Sequence, residues 1–124
     1  MIRGFRGATT VTKNDEAEIM KETKKLVVEM VEVNNIEPSE ISHVLFSVTD
    51  ELNAGFPAKV ARQMSGWTHV PVMCMKEIDV PNSLERCVRV MLVAKTNLQQ
   101  DEIIHVFLND AVKLRPDLIQ KEGE

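Results

Sequence analysis

Between Asn14 and Val33 the chain carries one long apolar run at helical spacing: Ile19, Thr23, Leu26, Val27, Met30 and Val33, over roughly five turns. The other apolar runs are short and strand-like. The fold therefore has to lay one long amphipathic helix on a sheet. Asn14-Asp15-Glu16 opens that helix with an Asx cap and acidic residues suited to the positive end of its dipole, and Asn34-Asn35 followed by Pro38 ends it.

Residues 2–11 read as a first strand. Residues 42–49 are apolar on both faces and are expected to form a buried central strand. A short second helix is expected from Pro57, a favourable first-turn residue, to Gly66, a natural C-terminal cap. Trp67 to Met75, Cys87 to Ala94 and His105 to Leu108 follow as strands, with a turn at Asp79 to Ser83 and a link at Thr96 to Glu102. This order predicts an α+β (mixed α/β) sandwich with its helices on one face. Residues 1–118 are expected to form a single domain, and 119–124 a disordered tail.

Composition narrows the function. A chain of 124 residues, 44% hydrophobic, buries roughly two-thirds of its unfolded surface, and a deep private cavity would consume much of that core. A site shared between subunits is the economical alternative. The net charge of −4, the lack of a Lys/Arg cluster and the presence of only four Phe, one Trp and no Tyr argue against a nucleic-acid partner. No apolar span is long enough to cross a bilayer, and Met1-Ile2-Arg3-Gly4-Phe5-Arg6 lacks the apolar core of a signal peptide, so a cytoplasmic location is expected. Cys74 and Cys87 form no CxxC pair, and His43, His69 and His105 lack the paired spacing of a metal site. No metal and no cofactor is expected.

Two arginines stand where strands should present apolar side chains. By period-two alternation Arg6 shares a face with Ile2, Gly4 and Ala8, and Arg89 with Cys87, Met91 and Val93. Burying an unpaired guanidinium is costly, so each needs a counter-charge. An acid elsewhere in the chain could supply it; an anionic ligand is the favoured reading.

Several segments, unrelated to one another, agree in order and spacing with one family: Arg3-Gly4-Phe5-Arg6-Gly7-Ala8-Thr9-Thr10, Phe56-Pro57-Ala58-Lys59, Ser65-Gly66-Trp67, Val70-Pro71-Val72, Cys74-Met75-Lys76-Glu77, Arg89-Val90-Met91 and Leu114-Arg115-Pro116-Asp117-Leu118. Over nearly its whole length the chain resembles the small monofunctional chorismate mutases of the trimeric α/β-barrel class. The resemblance implies a homotrimer whose sheets form a pseudo-α/β barrel, with chorismate and prephenate as ligands bound between subunits and no cofactor. By position it implies that Arg89 bonds the ether oxygen and the enolpyruvyl carboxylate, that Arg6 clamps that carboxylate, and that Glu77 accepts a hydrogen bond from the ring hydroxyl. Cys74 would add backbone contacts. From the adjacent subunit Phe56 and Leu114 would supply apolar walls, while Lys59, Arg62 and Arg115 draw in the ring carboxylate.

Two positions depart from the family pattern. Phe107 stands where a tyrosine is usual, and Met73 where a threonine is. The hydroxyl that would help hold the side-chain carboxylate is therefore missing, at a cost of about 1.5–3 kcal/mol for a hydrogen bond to a charged group. The competing readings are a trimeric small-molecule binding or regulatory module using the same arginine clefts, and an imine deaminase of similar fold. The latter class lacks the Cys-Met-x-Glu and Leu-Arg-Pro-Asp segments.

Overall fold

The structure, a computed structural model, describes residues 1–118; the tail expected at 119–124 lies outside the described residues. Five strands, β1 (Ile2–Thr10), β2 (Ile41–Val48), β3 (Val72–Lys76), β4 (Cys87–Lys95) and β5 (Val106–Phe107), form one sheet in the order β3-β2-β4-β1-β5. The sheet is mixed: β4 runs antiparallel to both β1 and β2, while β3 lies parallel to β2 and β5 parallel to β1. The single long helix, α1 (Glu16–Val33), covers one face.

Helix α1 begins as its sequence dictates. The Asp15 carboxylate accepts the backbone N–H of Glu18 at 2.9 Å, and Glu18 reaches back to the backbone N–H of Thr12 at 2.6 Å, which holds its carboxyl below the usual range. Ile19, Thr23, Leu26, Val27 and Met30 are buried, whereas Val33, at the last turn, is exposed. Leu26, Val27 and Met30 pack with Phe5, Val44, Phe46, Val90 and Leu92 from the helix-facing side of the strands, and Ile19 with Val11, Leu52 and Val88. Gly7 allows the close approach, because a Cβ there would run into the sulfur of Met30. Asn34 then fastens the helix end to the segment before β5: its amide donates to Met30 O (3.0 Å) and Ile104 O (2.8 Å) and accepts from Ile104 N (2.9 Å).

Three sequence expectations need correction. β2 is central but buried on one face only: Val44 and Phe46 point under α1, while Leu45 and Ser47 are half-buried on the opposite side. The short helix is a 3₁₀ segment, Pro57–Gln63, and Gly66 adopts its left-handed φ of +84° in the turn beyond it. The strand expected from Trp67 begins only at Val72, because Trp67 drops its indole into the core and Val70 closes a turn onto the Trp67 carbonyl at 3.0 Å. No helix among the described residues is long and apolar enough to cross a membrane.

Candidate active site

The sheet face away from α1 is only partly covered among the described residues, and it exposes Met73 (62%), Met75 (42%) and Met91 (37%). Strand register fixes which side chains meet there, since residues directly opposite across a ladder share a face. One row crosses all five strands: Met75 opposite Ser47, Ser47 opposite Arg89, Arg89 opposite Ala8, and Ala8 opposite Phe107. A second row runs Met73, Leu45, Met91 and Arg6. The two arginines thus emerge side by side from β1 and β4, as alternation predicts.

Above them is a cleft of about 390 Å³ lined by Arg6, Ser47, Arg89, Phe107, Leu114 and Arg115, among others. Glu77, just past β3, lines an adjoining cleft with Thr49 and Ile78 and reaches Arg89 from there; its backbone N–H extends the ladder to Val48 O at 2.8 Å. One carboxylate oxygen, Oε1, stands 3.2 Å from Arg89 Nε, and the other accepts a hydrogen bond from the Ser47 hydroxyl. The counter-charge of Arg89 is therefore Glu77, but the contact is Coulombic rather than a formed hydrogen bond. The buried Nε–H of Arg89 is not aimed at the carboxylate and has no partner among the described residues. Arg6 has no carboxylate within ion-pair distance among the described residues.

Arg6 is held through its backbone. Its N–H donates to Nδ1 of His105 at 2.9 Å, a bond that needs an unprotonated Nδ1. Burial, then the charges of Arg6 and Arg115, push the His105 pKa down, which keeps the imidazole in that form. Cys87, two residues before Arg89, has its thiol pushed up to about 11 by burial, more than the nearby Arg89 charge can offset. It is a packing residue, in contact with Ala8 and Ala111.

Leu114 and Arg115 depart from expectation. They were assigned by resemblance to the adjacent subunit, yet they line the same chain's cleft, because the 3₁₀ segment Asn109–Lys113 turns the chain back over β1. Asn109 secures that turn: it takes a φ of 54° and its amide donates to Thr9 Oγ1, Thr10 O and Glu22 Oε1. Arg115 is itself gripped by Asp117 through two parallel hydrogen bonds of 3.0 and 2.9 Å, which raise the arginine's pKa and lower the aspartate's.

Phe56, Lys59 and Cys74 lie elsewhere, around a second cleft of about 430 Å³ at the edge of the sheet; Met75 lines both clefts. Phe56 is 66% exposed, and Lys59 Nζ sits 3.6 Å from Glu16 Oε2. The Cys74 side chain is half-buried against the helix-side core. Arg62 is exposed on the 3₁₀ segment and lines neither cleft. Within one chain, then, Arg6, Arg89, Glu77, Phe107, Leu114 and Arg115 come together, and Phe56, Lys59, Arg62 and Cys74 do not. Ser47 and His105 were missed as site residues. A serine interrupting the apolar run from Val44 to Val48 was the available signal for Ser47, and nothing in the sequence marks His105 as a backbone acceptor.

The family model for chorismate mutase type I matches residues 2–118. A chorismate mutase AroH of Bacillus subtilis (strain 168) is 49% identical over 118 residues, covering 95% of this chain and 93% of that protein. One from Thermus thermophilus is 43% identical over 119 residues, covering 95% and 97%. A solved chorismate mutase from Clostridium thermocellum superposes with a TM-score of 0.85 at 50% identity, covering 88% of this chain and 96% of that one.

Proposed function

This chain belongs to the chorismate mutase type I family, and we propose that the cleft over Arg6 and Arg89 is where it converts chorismate to prephenate. The activity is that of an isomerase of aromatic amino-acid biosynthesis. Within one dianion an ether C–O bond breaks and a C–C bond forms, so no nucleophile and no proton transfer is called for. What the site must do is hold a folded conformer and stabilise the negative charge that grows on the ether oxygen. Even the low end of enzymatic acceleration asks for about 8 kcal/mol.

A planar, permanently charged guanidinium suits that task, since it can address the ether oxygen and the adjoining carboxylate together. We assign that role to Arg89, the clamp on the same carboxylate to Arg6, and acceptance of the ring hydroxyl's hydrogen bond to Glu77. Cys74 contributes backbone contacts, and Phe107 an apolar wall. Leu114 and Arg115 close over the ligand. The observation that carries these roles is the state of Arg89: a cation in the middle of the sheet, beside one misaligned carboxylate, with a buried N–H left unpaired. A merely structural ion pair would have closed.

We also propose that residues 1–118 form one catalytic domain and that three copies assemble with sites between them, each completed by Phe56, Lys59 and Arg62 of a neighbour. The partly covered apolar face with its exposed methionines supports an interface. So does the second cleft, which meets the first at Met75 and holds Lys59 and Lys76, neither of which lines the first.

Purified protein incubated with chorismate in EDTA should form prephenate; binding without turnover would leave the regulatory-module reading standing. The shared site has its own test. Arg89→Ala and Arg62→Ala chains, each inactive alone, should regain partial activity when unfolded and refolded together, and trimers that form without regaining activity would count against it.

A further inference from the structure

We propose that Ser47 is a positioning residue for the rearrangement: by holding one oxygen of Glu77, its hydroxyl stops that carboxylate from closing on Arg89 and so keeps the guanidinium available to the substrate. The proposal rests on the roles given above to Arg89 and Glu77.

A carboxylate free to meet a guanidinium forms a two-pronged fork of parallel N–H···O bonds. This chain contains such a pair for comparison. Arg115 and Asp117 form the full fork, both carboxylate oxygens engaged by the guanidinium, at 3.0 and 2.9 Å. Arg89 and Glu77 approach almost as closely, with Nε 3.2 Å from Oε1, yet no hydrogen bond is aligned and the Nε–H stays unpaired. The two pairs differ in what holds the second oxygen. Oε2 of Glu77 accepts the Ser47 hydroxyl.

The register explains why Ser47 can do this. It lies opposite Arg89 on β4 and opposite Met75 on β3, and Glu77 is two residues past Met75. With the Glu77 backbone tied to Val48 O, its side chain folds back over Ser47 on the way to Arg89. A closed fork would occupy the N–H groups that the ether oxygen and the enolpyruvyl carboxylate need, and opening it would oppose substrate binding. The hydroxyl thus acts on Arg89 through Glu77 without touching the reacting atoms.

The test is a double-mutant cycle read by steady-state kinetics with chorismate, accompanied by thermal melts. Ser47→Ala should keep its melting temperature and lose about tenfold in kcat/KM, the scale of one hydrogen bond to a charged group. Ser47→Thr, which retains a hydroxyl on the same carbon, should recover most of that loss. In the Glu77→Gln background, where no anionic fork can form, the further change Ser47→Ala should cost no more than about twofold. An unchanged kcat/KM for Ser47→Ala, or the same tenfold loss in both backgrounds, overturns the proposal. Glu77→Gln with wild-type kinetics would instead remove the role of Glu77 on which it stands.

Discussion

Phe107 sits at the end of the row that contains Arg89, against Ala8 and near Leu114, and its ring brings to the cleft an apolar wall with no hydroxyl. A tyrosine there would add a donor to a contact made with the substrate both before and during reaction, and contacts of that uniform kind move KM rather than kcat. Phe107→Tyr should therefore leave kcat within a few-fold and lower KM by up to about tenfold if the new hydroxyl reaches the carboxylate, the scale of one hydrogen bond to a charged group. Steady-state kinetics on the single variant decide it; a large change in kcat at constant KM would show that position 107 acts on the transition state. At this scale the sequence read well wherever one residue type has one suitable use. Arg6 and Arg89 stood out because a guanidinium on a strand needs a partner. Ser47 did not, because its importance lies in which oxygen of Glu77 it holds, and that depends on a register between β2, β3 and β4 that no local pattern encodes.

Elements followed the same division. Helix α1 and strands β1 and β4 could be bounded from spacing and caps alone, since burial of one face fixes the period of each. The β2 face was misjudged because Leu45 and Ser47 are only half-covered within one chain, and the strand after Trp67 because an aromatic ring can serve the core without joining a ladder. β5 is a further case: two residues pair with β1, and the imidazole of His105 takes up the next backbone N–H, that of Arg6. That substitution makes the edge sensitive to acid. The native pKa of His105 lies below its ordinary value of 6.5, so the unfolded chain binds the proton more readily. The stabilisation is fully present above the unfolded pKa and is lost as pH falls through the depressed native one. Denaturant titrations at about pH 7.5 and about pH 5.5 should show a fall in stability that His105→Gln, which does not titrate, makes smaller. An equal fall in both proteins would mean that other groups govern the window.

For the whole molecule, the main core lies on the helix side of the sheet, and the residues proposed for the chemistry stand on the other, beside a small buried cluster of Ala8, Cys87 and Ala111. Lys59 and Lys76 line a different cleft from Arg89, and this division is what leads us to propose that neighbouring copies complete the site. Membership of the family was readable from segments spread along nearly the full chain. The placement of Leu114 and Arg115 over their own chain's cleft was not, because it follows from the turn at Asn109 and its three amide hydrogen bonds. Throughout, Arg89 is the group on which catalysis is held to depend, acting on charge that appears only in the transition state. Its most direct test is the kcat of Arg89→Ala with chorismate, measured on protein shown to be folded and assembled like the wild type. Loss of one such donor should lower kcat by at least about 10²-fold, with Arg89→Lys recovering only part because an ammonium cannot bridge two oxygens as a planar fork does. A near-normal kcat for Arg89→Ala would contradict the mechanism.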